Sequence, residues 1–177
     1  PKVALFSTGD ELVMPGTVPP ERMPPGAIYN SNRFFLRQLL ARCGCEVGDL
    51  GIVPDDRQAT IEALRTAARD HDVILTSGGV SVGEEDHIKP AVQQLGSLDL
   101  WQIAMKPGKP FAYGRVGESH FLGLPGNPVS AAVTFYQLVI PLLAKLGGKN
   151  TSALPTRLRV RTATFDNLFE AIGVFAS

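Results

Sequence analysis

Short apolar segments alternate with amphipathic segments along most of this chain, and that alternation limits the folds it can adopt. Apolar runs at residues 3–6, 47–53 and 73–75 predict buried strands, and apolar side chains at helical spacing follow each run. Parallel neighbouring strands need crossover helices between them. The order therefore predicts an α/β fold of three layers, with a mostly parallel sheet and helices on both faces.

Local signals predict where several elements begin and end. Ser31 is expected to cap a helix that runs to about residue 42, and Asn127 followed by Pro128 predicts the start of the last helix. Pro141 should kink or split that last helix, because its ring cannot continue the helical hydrogen bonds. Further strands are predicted at about 98–104, and as a hairpin at 111–113 and 120–122.

The domain organisation is predicted from shifts in composition. Residues 1–148 are expected to form one α/β domain, interrupted by a proline-rich loop that reaches about residue 27. From residue 147 the chain becomes rich in glycine and small polar residues, which is typical of a linker. Leu158 and Val160 then alternate with arginines, so residues 149–177 are predicted to be a linker and the incomplete start of a β-rich domain.

Composition limits the classes of partner. Hydrophobic residues make up 44% of the 177 residues, and 17 basic residues balance 17 acidic ones, so no global field favours nucleic acid or an anionic membrane. Cys43 and Cys45 fit neither a disulfide framework nor a zinc site, and they are expected to be buried free thiols. No apolar run is expected to reach the length of a membrane span, and no signal peptide pattern is present, so a cytoplasmic location is predicted. The chain begins with Pro1 directly before a strand, which suggests a piece of a longer protein.

A glycine-rich turn after the third strand is the first candidate site. Gly78, Gly79 and Ser81 lie between a predicted strand and a helix, where backbone N–H groups and the helix dipole favour an anion. A tight turn that merely needs glycine is the alternative. The acidic residues that follow would repel phosphate unless a cation intervened, so a magnesium site with Glu84 and Asp86 is predicted. Stabilisation of the helix dipole would also explain acids in that first turn.

A second candidate is the loop at residues 105–110, where Lys106 and Lys109 stand on a backbone stiffened by two prolines. Such a rigid pair of ammonium groups can converge on one small oxyanion. Surface lysines are otherwise usually solvated.

Three further turns follow predicted strands. Residues 123–130 deliver a helix amino terminus with Ser130 in its first turn, which makes a second possible anion site. Glu11 follows the first strand, and Asp55 and Asp56 follow the second; N-capping explains one of the latter two, and a metal or substrate contact is the other interpretation. The three histidines show no ligand spacing, and the serines have no evident partners for a nucleophilic triad.

Five motifs taken together resemble the molybdopterin molybdenumtransferases, a family that includes bacterial MoeA proteins and the E domains of fusions such as gephyrin. The resemblance covers residues 1 to about 148 and includes a MogA-like molybdopterin-binding fold. The motifs are STGDEL at 7–12, PDD at 54–56, TSGGVSVGEED at 76–86, MKPGKP at 105–110 and GLPGNPVS at 123–130.

The resemblance implies a reaction and a set of roles. The dithiolene of an adenylated pterin attacks molybdate while the phosphoanhydride is cleaved and AMP leaves; magnesium is the implied cofactor. Acidic residues needed for activity match Glu11, Asp55 and Asp86, with Asp86 and Glu84 at the metal. Molybdate would be held by Lys106, Lys109, Pro110 and Ser130, and the pterin and adenylate by Thr8, Gly78, Gly79, Ser81, Gly126 and Asn127. The implied partners are a molybdopterin adenylyltransferase and a second copy of the longer parent.

The chain also departs from the family pattern. Some relatives have a basic residue directly after the tryptophan that precedes the lysine loop, where this chain has Gln102. Family members are much longer, so this piece is expected to lack part of the active site. The rival interpretations are the paralogous adenylyltransferase, whose glycine turn differs, a competence-damage-type nucleotide amidase, and a gephyrin-like scaffold.

Overall fold

A computed structural model describes residues 1–80, 87–104 and 109–149. The predicted alternation of strands and helices is confirmed over these residues. The strands are β1 (Lys2–Thr8), β2 (Leu12–Val13), β3 (Ile28–Tyr29), β4 (Glu46–Val53), β5 (Val73–Ser77), β6 (Gly96–Trp101), β7 (Ala112–Val116) and β8 (Ser119–Leu124). The α-helices are α1 (Asn32–Arg42), α2 (Arg57–Asp70), α3 (Ile88–Leu95), α4 (Pro128–Thr134) and α5 (Ile140–Leu146).

Six strands form one sheet in the order β4-β1-β5-β8-β7-β6. The pairs β1–β4, β1–β5 and β5–β8 are parallel, while β7 is antiparallel to both β8 and β6. Five of the six strands therefore run in one direction, and β7 alone runs against them. A small pair, β2 with β3, lies within the long loop that follows β1.

Alternating side chains of the central strands separate the core into two halves. Val3 and Leu5 of β1 join the half covered by α1, α4 and α5, and Ala4 and Phe6 join the half covered by α2 and α3. All four are completely buried. Burial of an aliphatic or aromatic side chain contributes about 1.5–3 kcal/mol to the free energy of unfolding. Since alternate side chains of one strand enter both halves of the core, the same strand stabilises both helical layers. The predicted three-layer arrangement is confirmed.

The boundary of β6 differs from the prediction. The strand expected at about 98–104 begins at Gly96 and ends at Trp101. It stops there because Gln102 has a φ of 73°, the left-handed region that a non-glycine residue seldom occupies. The strand therefore ends three residues earlier than the apolar pattern indicates.

The last helix is interrupted as Pro141 predicts. A π-helical stretch, Phe135–Val139, separates α4 from α5. Pro141 is the second residue of α5, and because proline has no backbone N–H, the regular α-helical hydrogen bonding is interrupted in the turn before it. Residues Pro128–Leu146 together span 19 residues and are long and apolar enough to cross a membrane by length and composition alone. The expectation that no run reaches that length is therefore wrong for this segment. Core helices pass the same test, and Ala131, Phe135 and Val139 pack in the core.

The predicted linker and incomplete β-rich unit at 149–177 lie, from residue 150 onward, outside the described residues.

Candidate ligand-binding cleft

The topology brings the candidate loops to one edge of the sheet. Strands β1, β4, β5, β6 and β8 share one direction, so the loops that follow them leave the sheet at the same side, here called the carboxyl edge. The opposite side is called the amino edge. Strand β1 lies between β4 and β5 in the sheet. The connection after β1 leads to its neighbour on one side, β4, and the connection after β4 leads back across β1 to its neighbour on the other side, β5. Ligands of parallel sheets bind where connections diverge in this way.

A cleft of about 310 Å³ lies at this point of divergence and is here called the switch-point cleft. Residues from the loops after β1, β5 and β8 and from the start of α1 form its walls. The lining residues are Thr8, Glu11, Leu12, Ile28, Tyr29, Asn30, Ser31, Asn32, Ser77, Gly78, Gly126, Asn127 and Pro128. The structure thus brings together Thr8, Glu11, Gly78, Gly126 and Asn127 among the residues predicted from sequence.

The two glycines after β5 let the loops after β1 and β5 approach each other. Gly78 and Gly79 have φ values of +89° and +67°. A Cβ at Gly78 would lie 2.6 Å from the carbonyl oxygen of Thr8, and one at Gly79 would lie 2.6 Å from Thr8 Oγ1. Both positions therefore require glycine for packing as well as for backbone conformation. An anion is not needed to explain them.

Asn32 joins three elements around the cleft, although sequence reasoning did not identify it. Its Nδ2 donates to Ser77 Oγ at 2.8 Å and to the carbonyl oxygen of Gly126 at 2.7 Å. The first turn of α1 is thereby tied to the end of β5 and to the loop after β8. The bonds fix the width of the cleft because each crosses from one wall to another.

The cap of α1 differs from the prediction. Ser31 occupies the residue before the helix but makes no side-chain capping bond. Asn30 Oδ1 instead accepts from the backbone N–H of Arg33 at 3.3 Å, and from the hydroxyl of Ser7 at 3.3 Å. The predicted N-cap role of Ser31 is therefore wrong, because its backbone is already helical and the preceding asparagine reaches the free N–H.

Unpaired polar atoms are concentrated at the cleft. Among the described residues, five buried side-chain atoms lack a hydrogen-bond partner, and three belong to lining residues: Thr8 Oγ1, Asn30 Nδ2 and Asn32 Oδ1. These residues are 4%, 2% and 6% exposed. An unsatisfied buried polar group costs about 1–3 kcal/mol. Such a cluster is typical of a site whose partner is a ligand or an ordered water.

The electrostatic character of the cleft is neutral to acidic. Glu11 is the one charged residue among those that line it, and its carboxylate folds back against Gly9. Asn127 caps α4 by accepting from the backbone N–H of Ser130 at 3.0 Å, so the predicted cap is confirmed. Ser130 itself is not among the lining residues. The cleft therefore favours neutral hydrogen-bonding groups over anions.

The acidic residues after β4 lie at the same edge but outside the cleft. Asp56 caps α2 by accepting from the backbone N–H of Ala59 at 2.8 Å, which confirms that capping explains one of the pair. The backbone N–H of Asp55 donates to Asp10 Oδ1 at 3.0 Å and links the loops after β4 and β1. Asp55 is thus held beside the cleft rather than in its wall.

The described part of the lysine loop lies on a separate arm of the edge. Backbone pairing between β6 and β7 continues to the loop, since Ile103 N–H donates to the carbonyl of Lys109 at 2.9 Å. Lys109 is exposed and Pro110 is partly buried. Strand β6 lies two strands from β8 in the sheet order, a distance of about 10 Å. Neither Lys109 nor Pro110 lines the cleft.

Several predicted residues cannot be placed. Ser81, Glu84, Asp86 and Lys106 lie outside the described residues. Within residues 1–80, 87–104 and 109–149, no group of three or more His, Cys, Asp or Glu side chains is arranged to hold a metal ion. The predicted magnesium site therefore depends on Glu84 and Asp86.

The remaining reactive groups have structural surroundings. Cys43 and Cys45 are free and partly buried, and burial raises the pKa of both thiols. A raised pKa leaves less thiolate and so less reactivity. This agrees with their interpretation as free thiols at the junction of α1 and β4.

The fold and the cleft define a class of protein: an α/β domain with a cleft of ligand size at the carboxyl edge of a mostly parallel sheet. The chain belongs to the family described as probable molybdopterin binding domain, whose family model matches residues 4–145.

Curated relatives with similar sequences carry related names. The chain is 48% identical to molybdopterin molybdenumtransferase of Haemophilus influenzae over 97% of this chain and 41% of the relative. It is 37% identical to the protein of that name from Nostoc, over 92% of this chain and 37% of the relative. It is 33% identical to gephyrin of Dictyostelium discoideum, over 84% of this chain and 24% of the relative. The chain thus spans about 40% of the first two relatives.

Solved structures agree with the fold. A molybdopterin biosynthesis MoeA protein from Pyrococcus horikoshii matches with a TM-score of 0.74 and 34% identity, over 84% of this chain and 36% of that one. The MoaB protein of Thermus thermophilus matches with a TM-score of 0.55 and 21% identity, over 81% of this chain and 96% of that one. The second match shows the shared fold alone.

Proposed function

We propose that this chain is the substrate-binding α/β domain of a molybdopterin molybdenumtransferase. The longer parent would insert molybdenum from molybdate into adenylyl-molybdopterin and release AMP. The observation that carries the proposal is the 48% identity to a molybdenumtransferase over 97% of this chain. The cleft supports it, because unpaired hydrogen-bonding groups lie where a parallel sheet binds its ligand.

The carboxyl edge has two separate regions, the switch-point cleft and the lysine loop, and this arrangement suits a substrate with neutral and anionic parts. Thr8, Gly78, Gly126 and Asn127 line the switch-point cleft, where an uncharged part of the pterin or of the adenylate would bind. Gly79 packs against Thr8 beside it, and Ser81 is proposed as a further ligand of the pterin or adenylate. Lysines on the separate β6–β7 arm would hold molybdate and stabilise the charge that develops on its oxygens. The proposed molybdate ligands are Lys106, Lys109, Pro110 and Ser130.

The acidic residues have proposed roles at the phosphates. Glu11 lines the cleft and Asp55 lies beside it, and both are proposed to be needed for activity together with Asp86. Magnesium bound by Asp86 and Glu84 would supply positive charge at the phosphoanhydride.

We propose a homodimer of the parent, a cytoplasmic location, and delivery of the substrate by a molybdopterin adenylyltransferase. The balanced charge of 17 basic and 17 acidic residues favours neither nucleic acid nor a membrane as a partner.

Two measurements test the function. Calorimetric titration of the full-length parent with adenylyl-molybdopterin and magnesium should give saturable binding, and a folded parent that does not bind the substrate would contradict the proposal. In the full-length parent, Lys109→Ala should lower molybdenum insertion about 100-fold at limiting molybdate. The matched control is Lys145→Ala in α5, an exposed lysine near the end of its helix, and it should retain full activity.

A further inference from the structure

An ion pair outside the cleft joins the first turn of α1 to the edge strand β4. Arg33 Nε donates to Asp49 Oδ1 at 2.7 Å, and the two side chains are 21% and 14% exposed. Arg33 Nη1 also donates to Met14 Sδ at 3.4 Å, directly after β2. One guanidinium group therefore holds α1, β4 and the loop after β1 together. None of these three residues lines the switch-point cleft.

Asp49 also supports a bulge in β4. Asp49 lies beside Leu5 of β1 and Gly51 lies beside Phe6, so the register passes over Leu50. Asp49 Oδ1 accepts from the backbone N–H of Gly51 at 3.0 Å and so bridges the extra residue. Gly51 has a φ of +77°, a conformation that favours glycine. The carboxylate that binds Arg33 therefore also holds the backbone of the bulge.

The bulge changes the half of the core that β4 faces. Before the bulge, Val47 packs against the half covered by α1, and after it Val53 packs in the half covered by α2. In a regular strand these two side chains would point to the same face, because alternate residues share a face and the two positions differ by an even number. The bulge therefore sets the direction in which the chain leaves β4 and reaches Asp55.

The segments that the ion pair joins carry two of the acidic residues proposed for activity. Glu11 lies in the loop after β1, on the chain that leads to Met14. Asp55 follows β4, and its backbone N–H donates to Asp10 Oδ1 at 3.0 Å. Loss of the ion pair would release both the Met14 segment and the bulge, and so both loops could shift at the carboxyl edge.

A partly buried ion pair contributes little net stability. The cost of removing both charges from water offsets much of their attraction, and apolar side chains of similar volume often replace such pairs without loss of stability. Removal of one partner alone is destabilising, because it leaves the other charge uncompensated. Stability can therefore be separated from geometry by replacing both residues together.

We propose that Arg33 and Asp49 are positioning residues for Glu11 and Asp55. Their ion pair fixes the loop after β1 against the bulge of β4, so the rate of the reaction depends on the pair while the stability of the domain requires only that its space be filled. The inference rests on the proposed function and deepens it, because it identifies what holds two of the proposed acidic residues in place.

The test compares variants of the full-length parent, numbered as in this chain. Arg33→Met combined with Asp49→Leu replaces the ion pair by apolar side chains, and Asp49→Asn keeps the Oδ1 acceptor for Gly51 and Arg33. The matched control is Lys2→Met combined with Glu46→Leu, because that exposed ion pair, at 3.6 Å, joins the same two strands' residues at the amino edge. Molybdenum insertion at saturating molybdate and adenylyl-molybdopterin gives kcat, and thermal unfolding gives Tm.

The apolar double variant at 33 and 49 should have a Tm within about 3 °C of wild type, while its kcat falls about tenfold because the acidic residues are misplaced. Asp49→Asn should keep kcat within about twofold of wild type, since the hydrogen-bond geometry is retained. The control at the amino edge should have wild-type kcat. Wild-type kcat in the apolar double variant would overturn the inference, as would an equal fall in Asp49→Asn, which would assign the effect to charge rather than to position.

Arg33→Lys decides the question if the apolar double variant has a much lower Tm. Lysine keeps the positive charge beside Asp49, but its single ammonium group lacks the planar fork that reaches both Asp49 and Met14. A fall in kcat of about threefold or more at wild-type Tm would support the inference, and unchanged kcat would overturn it. A wild-type parent that inserts no molybdenum would refute the proposed function and this inference with it, whereas an active parent with fully active variants would refute the inference alone.

Discussion

Buried and half-buried polar side chains at the amino edge of the sheet have hydrogen-bond partners, whereas three buried ones at the carboxyl edge each keep one atom without a partner. At the amino edge the Ser119 hydroxyl donates to the His71 carbonyl at 2.6 Å, and Tyr113 contacts His120 Nδ1 at 2.9 Å. At the carboxyl edge Thr8, Asn30 and Asn32 each keep an unpaired buried atom. Because an unpaired buried group destabilises a fold, these three side chains are expected to contribute less to stability than the paired ones at the amino edge.

The largest effect is expected for Gly78→Ala, at the carboxyl edge. Its Cβ would meet the Thr8 carbonyl oxygen at 2.6 Å, and its φ of +89° disfavours a side chain, so unfolding free energy should fall by about 3 kcal/mol. Gly16→Ala is the control, since Gly16 has a φ of +88° and nothing within 4 Å; it should cost about 1 kcal/mol. Urea denaturation measures both. Equal losses of unfolding free energy in the two variants would mean that the close approach of Gly78 to the Thr8 carbonyl adds nothing to the cost of the substitution.

Ser119→Ala should give the next largest effect, at the amino edge. The variant removes a buried hydroxyl bonded to the carbonyls of His71 and Ala68, which should cost about 1–2 kcal/mol of unfolding free energy. The affinity for adenylyl-molybdopterin, measured by calorimetry on the folded variant, should be unchanged. A loss of affinity would show that the two edges are not independent.

Thr8→Val should stabilise the chain, because it removes a buried hydroxyl that has no partner. The expected gain in unfolding free energy is about 1 kcal/mol. Thr76→Val should give a similar gain for the same reason. Thermal unfolding of the free protein provides the measurement. If both variants were destabilised, these hydroxyls would have partners in the free protein, such as ordered water.

The smallest effect concerns pH at the amino edge. Burial first, and the nearby positive charge of Arg115 second, lower the pKa of His120 below its usual value. The unfolded chain therefore binds the proton more readily, and wild-type stability should fall as the pH drops below about 6.5 toward the lower pKa of the folded state. His120→Gln should remove this part of the decline, as measured by urea denaturation between about pH 7.5 and pH 5. A constant difference between the two proteins across that range would contradict the assignment.

Much of the fold was predictable because its signals are local. Apolar runs and helical spacing indicated the order of elements, and Asn127 and Asp56 cap the helices that their positions predict. The glycines at 78 and 79 were found from their place between a strand and a helix. The structure shows a further reason for them, close contact with Thr8, which no local pattern contains.

The unpredicted part of the cleft depends on distant contacts. Asn30 and Asn32 flank Ser31, the one residue of this segment that the sequence singled out, and only as a helix cap. The partners of Asn32 lie 45 and 94 residues away, so its role depends on how the loops after β5 and β8 meet α1. Asp55 and Asp56 were likewise indistinguishable until the structure showed that Asp56 caps α2.

The most direct test of the contrast between the two edges is an NMR titration of this chain with pterin and, separately, adenosine, observing side-chain amide signals and backbone amides together. The account predicts that one of the two ligands shifts the Asn30 and Asn32 side-chain signals and leaves the backbone amides of Ser119 and His120 unchanged. Shifts at the amino edge, or none at Asn30 with either ligand, would contradict it.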